Sequence, residues 1–184
     1  WHTMHASLPQ IRGADRCNAS FSLAQLAAKD CKAEIEFAML PESGSLRNFC
    51  KGFIDLLFMP PVSKGEPQTY AILDWKSDIM PTEDFSSGAA LQKKVDEDYA
   101  IQRTLYAYCL VKWLKAFYPQ KEFAQIFAEH FGGIYYVFAR GTQKGTTNGI
   151  YAQTWNSWAD LETAFNEIRD EKITHTAQTE KEQI

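Results

Sequence analysis

The chain has 184 residues, of which 45% are hydrophobic and 14% aromatic; this fits one compact domain and excludes an intrinsically disordered chain. Its formal net charge of −4 counts against a protein that binds nucleic acid through its own charge alone, since such proteins usually have a basic balance. No apolar run reaches the roughly 18 residues of a membrane span, and the N-terminus lacks the pattern of a signal peptide. We therefore expect a soluble, cytoplasmic protein that contacts no membrane.

The first half of the chain predicts strands after an irregular start. We expect residues 1–19 to be irregular and a short helix to follow them. Residues 34–40 alternate between polar and apolar side chains, which is the period of a half-buried strand. Residues 52–58 and 70–76 are two further strand-like runs, separated by a stretch rich in Pro and Gly. Consecutive strands joined in this way usually pair, so these two runs predict a hairpin.

The second half predicts helices around one buried strand. The remaining predicted elements are, in chain order, one long helix over 91–117 ended by Pro119, a short helical segment over 122–129, a strand over 132–139 buried on both faces, a short edge strand over 149–151, and a final helix from Ser157. This order predicts an α/β or α+β fold with a mixed central sheet flanked by helices. We divide the chain into an irregular segment (1–19), one domain (20–173) and a polar C-terminal tail (174–184).

Three charged residues interrupt the apolar strands. Asp55 lies in the middle of one run, and Asp74 is followed two residues later by Lys76 in the next. Charge is expensive inside a strand that is covered on both faces. Residues two apart in a strand face the same way, so Asp74 and Lys76 should project together. If the two runs pair, Asp55 lies roughly opposite them, and three ionisable groups gather at one end of a sheet.

Two carboxylates and a lysine suit metal-assisted hydrolysis of a phosphodiester. Oxygen ligands hold Mg²⁺, which lowers the pKa of a bound water, and a neighbouring lysine orients that water or offsets charge on the phosphate. The alternative is structural: Asp74 and Lys76 form a salt bridge, and Asp55 caps a turn. Spacing alone leaves both interpretations open.

The same residues resemble the core motif of the PD-(D/E)xK nuclease superfamily, and within it the nuclease domains of the RecB type, the beta subunit of exodeoxyribonuclease V. The motifs that carry the resemblance are Gly52-Phe53-Ile54-Asp55, Leu73-Asp74-Trp75-Lys76-Ser77, Glu34-Ile35-Glu36-Phe37, Tyr99-Ala100-Ile101-Gln102 with Leu105-Tyr106, and the late run from Glu129 to Tyr151. Together they cover about residues 20–155. The resemblance implies a restriction-endonuclease-like fold and a DNA nuclease that uses Mg²⁺, with Mn²⁺ as the alternative metal.

Roles follow from this resemblance residue by residue. It implies that Asp55, Asp74 and the main-chain carbonyl of Trp75 are metal ligands and that Lys76 is the catalytic lysine. Gln102 and Tyr106 lie on one helix face, because they are four residues apart. The resemblance implies that this face borders the active site and the DNA path.

Simpler interpretations of these helix residues remain open. Gln102 could be a buried amide that ties the helix to the sheet, and Tyr106, like Tyr99, could be a core aromatic. Two weaker candidates are Glu36, as a ligand or as a solvent-facing strand residue, and Arg140, as a phosphate contact or as an ordinary exposed arginine.

The chain departs from the family pattern at its beginning. RecB-type domains start with a helix that carries a histidine metal ligand in a Gly-Thr-x-x-His setting, and His2 and His5 do not match that context. We therefore expect a fragment that begins inside the nuclease domain, binds Mg²⁺ weakly and cuts DNA poorly by itself. The four cysteines, Cys17, Cys31, Cys50 and Cys109, form no CxxC pair and do not fit the spacing of the iron–sulfur cluster found in some relatives. We expect reduced thiols and no cluster.

The resemblance also implies partners and leaves alternatives. The chain has no phosphate-binding Gly-x-x-x-x-Gly-Lys-[Ser/Thr] run, so ATP would be used only by an upstream helicase part of the parent protein. That parent would digest DNA ends during recombinational double-strand break repair, on single strands delivered by a RecBCD-type complex of partner subunits. The alternatives are a catalytically silent DNA-binding or scaffold module with the same fold, and a restriction-type endonuclease of the same superfamily.

Overall fold

The structure, a computed structural model, describes residues 2–39 and 50–181, with side chains over 2–38 and 51–169. The strands in these ranges are β1 (Leu8–Arg12), β2 (Asp15–Phe21), β3 (Cys31–Met39), β4 (Cys50–Phe58), β5 (Tyr70–Lys76), β6 (Phe131–Phe138) and β7 (Ile150–Gln153). The α-helices are α1 (Gly88–Asp98), α2 (Ala100–Leu114), α3 (Phe123–His130) and α4 (Trp158–Lys181). Among the helices described here, none is both long enough and apolar enough to cross a bilayer.

The central sheet is mixed. Its five described strands have the order β3-β4-β5-β6-β7, and only the β5–β6 pair is parallel. A parallel pair needs a long crossover connection, and the chain between β5 and β6 supplies it as α1, α2 and α3. The predicted α+β class, with a mixed sheet flanked by helices, is confirmed, and the architecture is compatible with a PD-(D/E)xK nuclease-like fold.

The sheet buries both of its faces. On the helix side, apolar residues of α2 and α3 pack against Ile72, Ile134 and Tyr136. On the other side, β1 and β2 form an antiparallel hairpin whose apolar residues pack against Leu73 and Tyr135. All eight residues of β6 are buried, as expected for a strand covered on both faces.

The parallel pair contains one irregularity that glycine makes possible. The register between β5 and β6 shifts by one residue after Tyr70 and Phe131, so β6 carries an extra residue. Gly133 lies in this shift with a φ of 87°, and a Cβ there would be 2.7 Å from Cδ1 of Ile11. Glycine therefore allows both the bulge and the close approach of the hairpin.

Three sequence predictions need correction. Residues 8–12 and 15–21 form the hairpin instead of an irregular segment, because the apolar residues of β1 and Phe21 pack on the sheet. The predicted helix over 91–117 is two helices, interrupted at Tyr99, whose φ and ψ of −128° and 7° are not helical. The expected tail from 174 continues α4 as far as Lys181. Trp1, Leu40 and residues 182–184 lie outside the described residues.

Candidate active site

The candidate site forms where β4 and β5 separate. Their pairing runs from Phe58 and Ala71 to Leu56 and Leu73, one step short of Asp55 and Asp74. The Oδ2 atom of Asp55 accepts a hydrogen bond of 2.9 Å from the backbone N–H of Trp75. At the opening, the carboxylate of Asp55 thus accepts the N–H bond that a backbone carbonyl of a paired strand would otherwise accept. This bond holds Asp55 beside the Asp74–Lys76 segment.

Asp55 also lies at a break in the side-chain alternation of β4. Ile54 and Leu57 both pack in the helix-side core, although residues three apart in a regular strand face opposite sides. The β3–β4 register runs from Ala33–Leu56 to Ile35–Ile54 and skips the position between them, where Glu34 and Asp55 lie. Glu34 there has a φ of 52°, which is unfavourable for a residue with a Cβ. The irregular backbone therefore coincides with the position of a proposed functional residue, a common property of active sites.

Asp74 and Lys76 share one face of β5 and meet Gln102 of α2 there. The Nζ atom of Lys76 lies 2.5 Å from Oδ1 of Asp74 and donates to Oε1 of Gln102 at 2.8 Å. The amide nitrogen of Gln102 donates to Oδ2 of Asp74 at 3.1 Å. Asp74 and Lys76 are only 4% and 9% exposed, so the three side chains form a closed polar cluster at the sheet end.

The electrostatics of this cluster are unbalanced. Burial raises the pKa of Asp74 above its usual value, and the negative charge of Asp55 raises it further, although Lys76 and Gln102 act in the opposite direction. Two carboxylates and one ammonium leave a formal charge of −1. A cation placed between the carboxylates would offset both the burial of Asp74 and its repulsion by Asp55.

Two tyrosines complete the surroundings of Lys76. Its Nζ atom lies 3.8 Å from the ring centre of Tyr99 and 4.8 Å from that of Tyr136. The hydroxyl of Tyr136 donates weakly to Oε1 of Gln102, at 3.4 Å. Sequence reasoning missed Tyr136 entirely, but a tyrosine in a strand buried on both faces is a usable signal, since its hydroxyl needs a partner.

The other candidates have different surroundings. Tyr106 is 7% exposed and donates to the carbonyl of Phe53 at 2.8 Å, so it anchors β4 two residues from Asp55 and borders the site from within the core. Glu36 is exposed on β3 and forms an ion pair of 2.5 Å with Lys51, outside the cluster. Arg140 follows the end of β6 and donates to the carbonyl of Ser77 at 3.0 Å, next to the site segment but not in it.

The residues at the opening fit a hard cation. Carboxylate and carbonyl oxygens are the ligands that Mg²⁺ prefers, and Asp55, Asp74 and the carbonyl of Trp75 come from two adjacent strand ends. Over the described residues, no cluster joins three or more His, Cys, Asp or Glu side chains. The opening therefore has two acidic side chains and a main-chain carbonyl that could hold a cation.

The described histidines and thiols belong to other elements of the fold. His2 and His5 belong to the N-terminal turn, and His130 precedes β6 at the opposite end of the sheet. Cys17 is exposed and Cys109 is buried in α2; these two and Cys31 are free thiols, and the side chain of Cys50 is outside the described residues.

Comparison with known proteins gives a partial relationship. No protein-family model matches the chain. The RecB subunit of the RecBCD enzyme from Mycobacterium tuberculosis is 27% identical over 134 residues, covering 68% of this chain. The RecB subunits from Haemophilus influenzae and Buchnera aphidicola are 24% and 34% identical over 71% and 50% of the chain. The chain spans about a tenth of these relatives, between 7% and 12% of their length. These matches support a relationship between this chain and one region of the RecB subunit.

Proposed function

We propose that the chain is a Mg²⁺-dependent DNA nuclease domain of the RecB type. The observation that carries the proposal is the meeting of Asp55, Asp74 and Lys76 where β4 and β5 separate. Such a site can bind a divalent cation at its two carboxylates and still present a positive group to a phosphate. The partial similarity to RecB subunits is consistent with this activity.

Each residue has a definite task in this proposal. Asp55, Asp74 and the carbonyl of Trp75 would hold Mg²⁺, with Mn²⁺ as the alternative. When bound, the cation supplies Lewis acidity at a phosphate oxygen and activates water at neutral pH. Lys76 orients the attacking water or offsets the charge that develops on the phosphate. Gln102 holds both Lys76 and Asp74, so it fixes the direction of the ammonium group.

The role of the whole protein belongs to the same proposal. The relatives are named as subunits of the RecBCD enzyme. We propose that a protein containing this chain acts on DNA ends within such a complex, takes up single strands from a helicase part that uses ATP, and works in recombinational repair.

A second candidate function is a silent DNA-binding or scaffold module. The observation in its favour is the closed pair of Lys76 and Asp74 at 2.5 Å, which satisfies both charges without a metal. A cation must compete with this pair for Asp74. The two candidates therefore differ in whether Mg²⁺ binds at Asp74 and Asp55.

Calorimetric titration with Mg²⁺ and with Mn²⁺ separates the candidates. The chain, and any longer protein that carries it, is compared with Asp55→Asn and Asp74→Asn, and with Glu129→Gln as a matched control at the opposite sheet end. We expect binding that both site variants abolish and the control retains, weak in the chain alone and tighter in the longer protein. We expect Mg²⁺-dependent digestion of linear single-stranded DNA from the longer protein. Metal binding that neither aspartate substitution changes would favour the silent module. DNA binding that needs no metal and leads to no cleavage would favour it as well.

A second DNA substrate tests the type of nuclease. Digestion that proceeds from ends spares closed circles, whereas a restriction-type endonuclease cuts closed circles as well. We expect closed double-stranded circles to survive.

A further inference from the structure

Tyr99 lies at the break between α1 and α2 and contacts the candidate catalytic lysine. Its φ and ψ of −128° and 7° end one helix and begin the next, and this directs the ring toward β5. The ring centre is 3.8 Å from Nζ of Lys76, inside the range of a cation–π contact. The ammonium of Lys76 thus contacts the ring of Tyr99 in addition to its bonds with Asp74 and Gln102.

The side chain of Tyr99 is held through its hydroxyl and through its ring face. Its hydroxyl lies 2.9 Å from each carboxylate oxygen of Asp78, two residues after Lys76 on the chain. Lys94 of α1 binds the same carboxylate at 3.1 Å. The ring also stacks on Tyr136, with centres 5.5 Å apart and planes at 29°. These contacts leave the ring little freedom relative to β5.

The charges around Asp78 agree with this arrangement. Burial alone would raise the pKa of Asp78, but the hydrogen bonds from Tyr99 and Lys94 and the charge of Lys94 together lower it. Burial, followed by the bond to Asp78, raises the pKa of Tyr99 to about 12. The hydroxyl therefore stays protonated and donates to a charged carboxylate, which makes the bond a strong one.

We propose that Tyr99, anchored by Asp78 and Lys94, is a positioning residue that fixes the ammonium of Lys76 for the reaction. The inference rests on the proposed nuclease function, because it assigns Lys76 a catalytic task. Asp74 and Gln102 bind the ammonium, and the aromatic ring of Tyr99 packs against it. Together these contacts restrict the position of Nζ. This proposal also gives the break between α1 and α2 a functional role, because the non-helical backbone of Tyr99 allows its ring to contact Lys76.

Two substitutions of Tyr99 distinguish the contribution of its ring from that of its hydroxyl. Tyr99→Phe keeps the aromatic face and loses the anchor at Asp78, whereas Tyr99→Leu loses both. Tyr108→Leu is the matched control, since Tyr108 is a stacked tyrosine of α2 that packs on Trp158 and Phe165. All three variants are first checked for native folding by circular dichroism.

The first readout is spectroscopic and needs no cleavage. In protein labelled with ¹³C-lysine, the ε-methylene protons of Lys76 should show an upfield ring-current shift, identified by its loss in Lys76→Arg. We expect Tyr99→Leu to remove most of this shift and Tyr99→Phe and Tyr108→Leu to retain it. An unchanged signal in Tyr99→Leu would overturn the placement.

The second readout is kinetic. We expect Tyr99→Leu to lower kcat about 100-fold, the effect of misplacing a reacting group by about 1 Å, with KM unchanged. Tyr99→Phe should lose less than about tenfold, the effect of one hydrogen bond. A lost ring-current shift with unchanged kcat would overturn the inference. These rates are measured on the longer protein that carries the chain. If that wild-type protein fails to cleave DNA, the nuclease proposal fails, and the spectrum alone then decides whether Tyr99 holds Lys76.

Discussion

The two ends of β5 each place a lysine beside a carboxylate, but they balance charge differently. At the Tyr70 end, Nδ1 of His130 donates to the carbonyl of Gln68 at 2.8 Å, and Nε2 lies 2.9 Å from Nζ of Lys121. Lys121 also pairs with Glu129, which remains partly exposed to solvent. At the Lys76 end, about 20 Å away along the strand, the ammonium pairs with the buried carboxylate of Asp74, and the charge of Asp55 acts on that carboxylate as well.

This difference distinguishes a stabilising cluster from a candidate site. The bond to Lys121 is the main cause that lowers the pKa of Glu129, so the folded state favours the charged carboxylate. Burial raises the pKa of Asp74, so there the folded state disfavours the charge that the sequence places in it. A lysine next to a carboxylate is therefore not the informative feature. The informative feature is a carboxylate whose charge is disfavoured by burial and by a second carboxylate nearby.

The largest predicted effect comes from removing the positive charge at the Lys76 end. Lys76→Gln changes the formal charge of the cluster from −1 to −2, so we expect tighter Mg²⁺ binding. Cleavage should nevertheless fall by about 100-fold or more, because the group that we propose to offset charge on the phosphate is gone. Calorimetry gives the affinity and single-turnover cleavage gives the rate.

The comparison supplies the control for that experiment. Lys121→Gln removes a lysine from the Tyr70 end and should change neither Mg²⁺ affinity nor cleavage. Weaker Mg²⁺ binding in Lys76→Gln would mean that the lysine supports the cation site instead of competing with it.

The central motif was predictable from the sequence because its geometry is local. Two-residue alternation places Asp74 and Lys76 on one face wherever β5 pairs, and a hairpin brings Asp55 close. The opening of the strands at Leu56 and Leu73 was not predictable in this way. It depends on the hydrogen bond from Trp75 to Asp55, between residues twenty positions apart.

The missed elements depend on tertiary contacts. Residues 91–117 contain neither Gly nor Pro, so the sequence gives no local reason for a helix break; the contacts of Tyr99 with Asp78 and Lys76 provide it. Strand β2 is exposed over six of its seven residues and therefore shows no alternation. Its pairing follows from β1, where Leu8 and Ile11 are buried against the sheet.

A smaller predicted effect concerns the pH dependence of stability at the Tyr70 end. Because the hydrogen bond from Lys121 holds the pKa of Glu129 below its ordinary value of 4.5, the contribution of Glu129 to stability is fully present above that pH. It is lost as the pH falls through the folded-state pKa. Glu129→Gln should lower Tm at pH 7 by about 2 °C, as for a partly exposed ion pair. The difference from the wild type should vanish on acidification.

Thermal unfolding of both proteins between pH 7 and pH 3 measures this difference. A difference in Tm that grows toward low pH would contradict the assigned direction. Cleavage by Glu129→Gln should match the wild type at every pH where both are folded, because Glu129 lies at the end of β5 away from the candidate site.

The smallest effect is expected at Glu36, the acidic residue of β3 that the sequence left ambiguous. Its carboxylate pairs with Lys51 at 2.5 Å, and both side chains are about half exposed, at 53% and 50%. Exposed pairs of this kind contribute little because water and salt screen them. Glu36→Gln should change the free energy of unfolding in urea by less than about 0.5 kcal/mol and leave Mg²⁺ affinity unchanged. A clear loss of Mg²⁺ affinity would instead make Glu36 part of the metal site, and the opening between β4 and β5 would then no longer account for cation binding by itself.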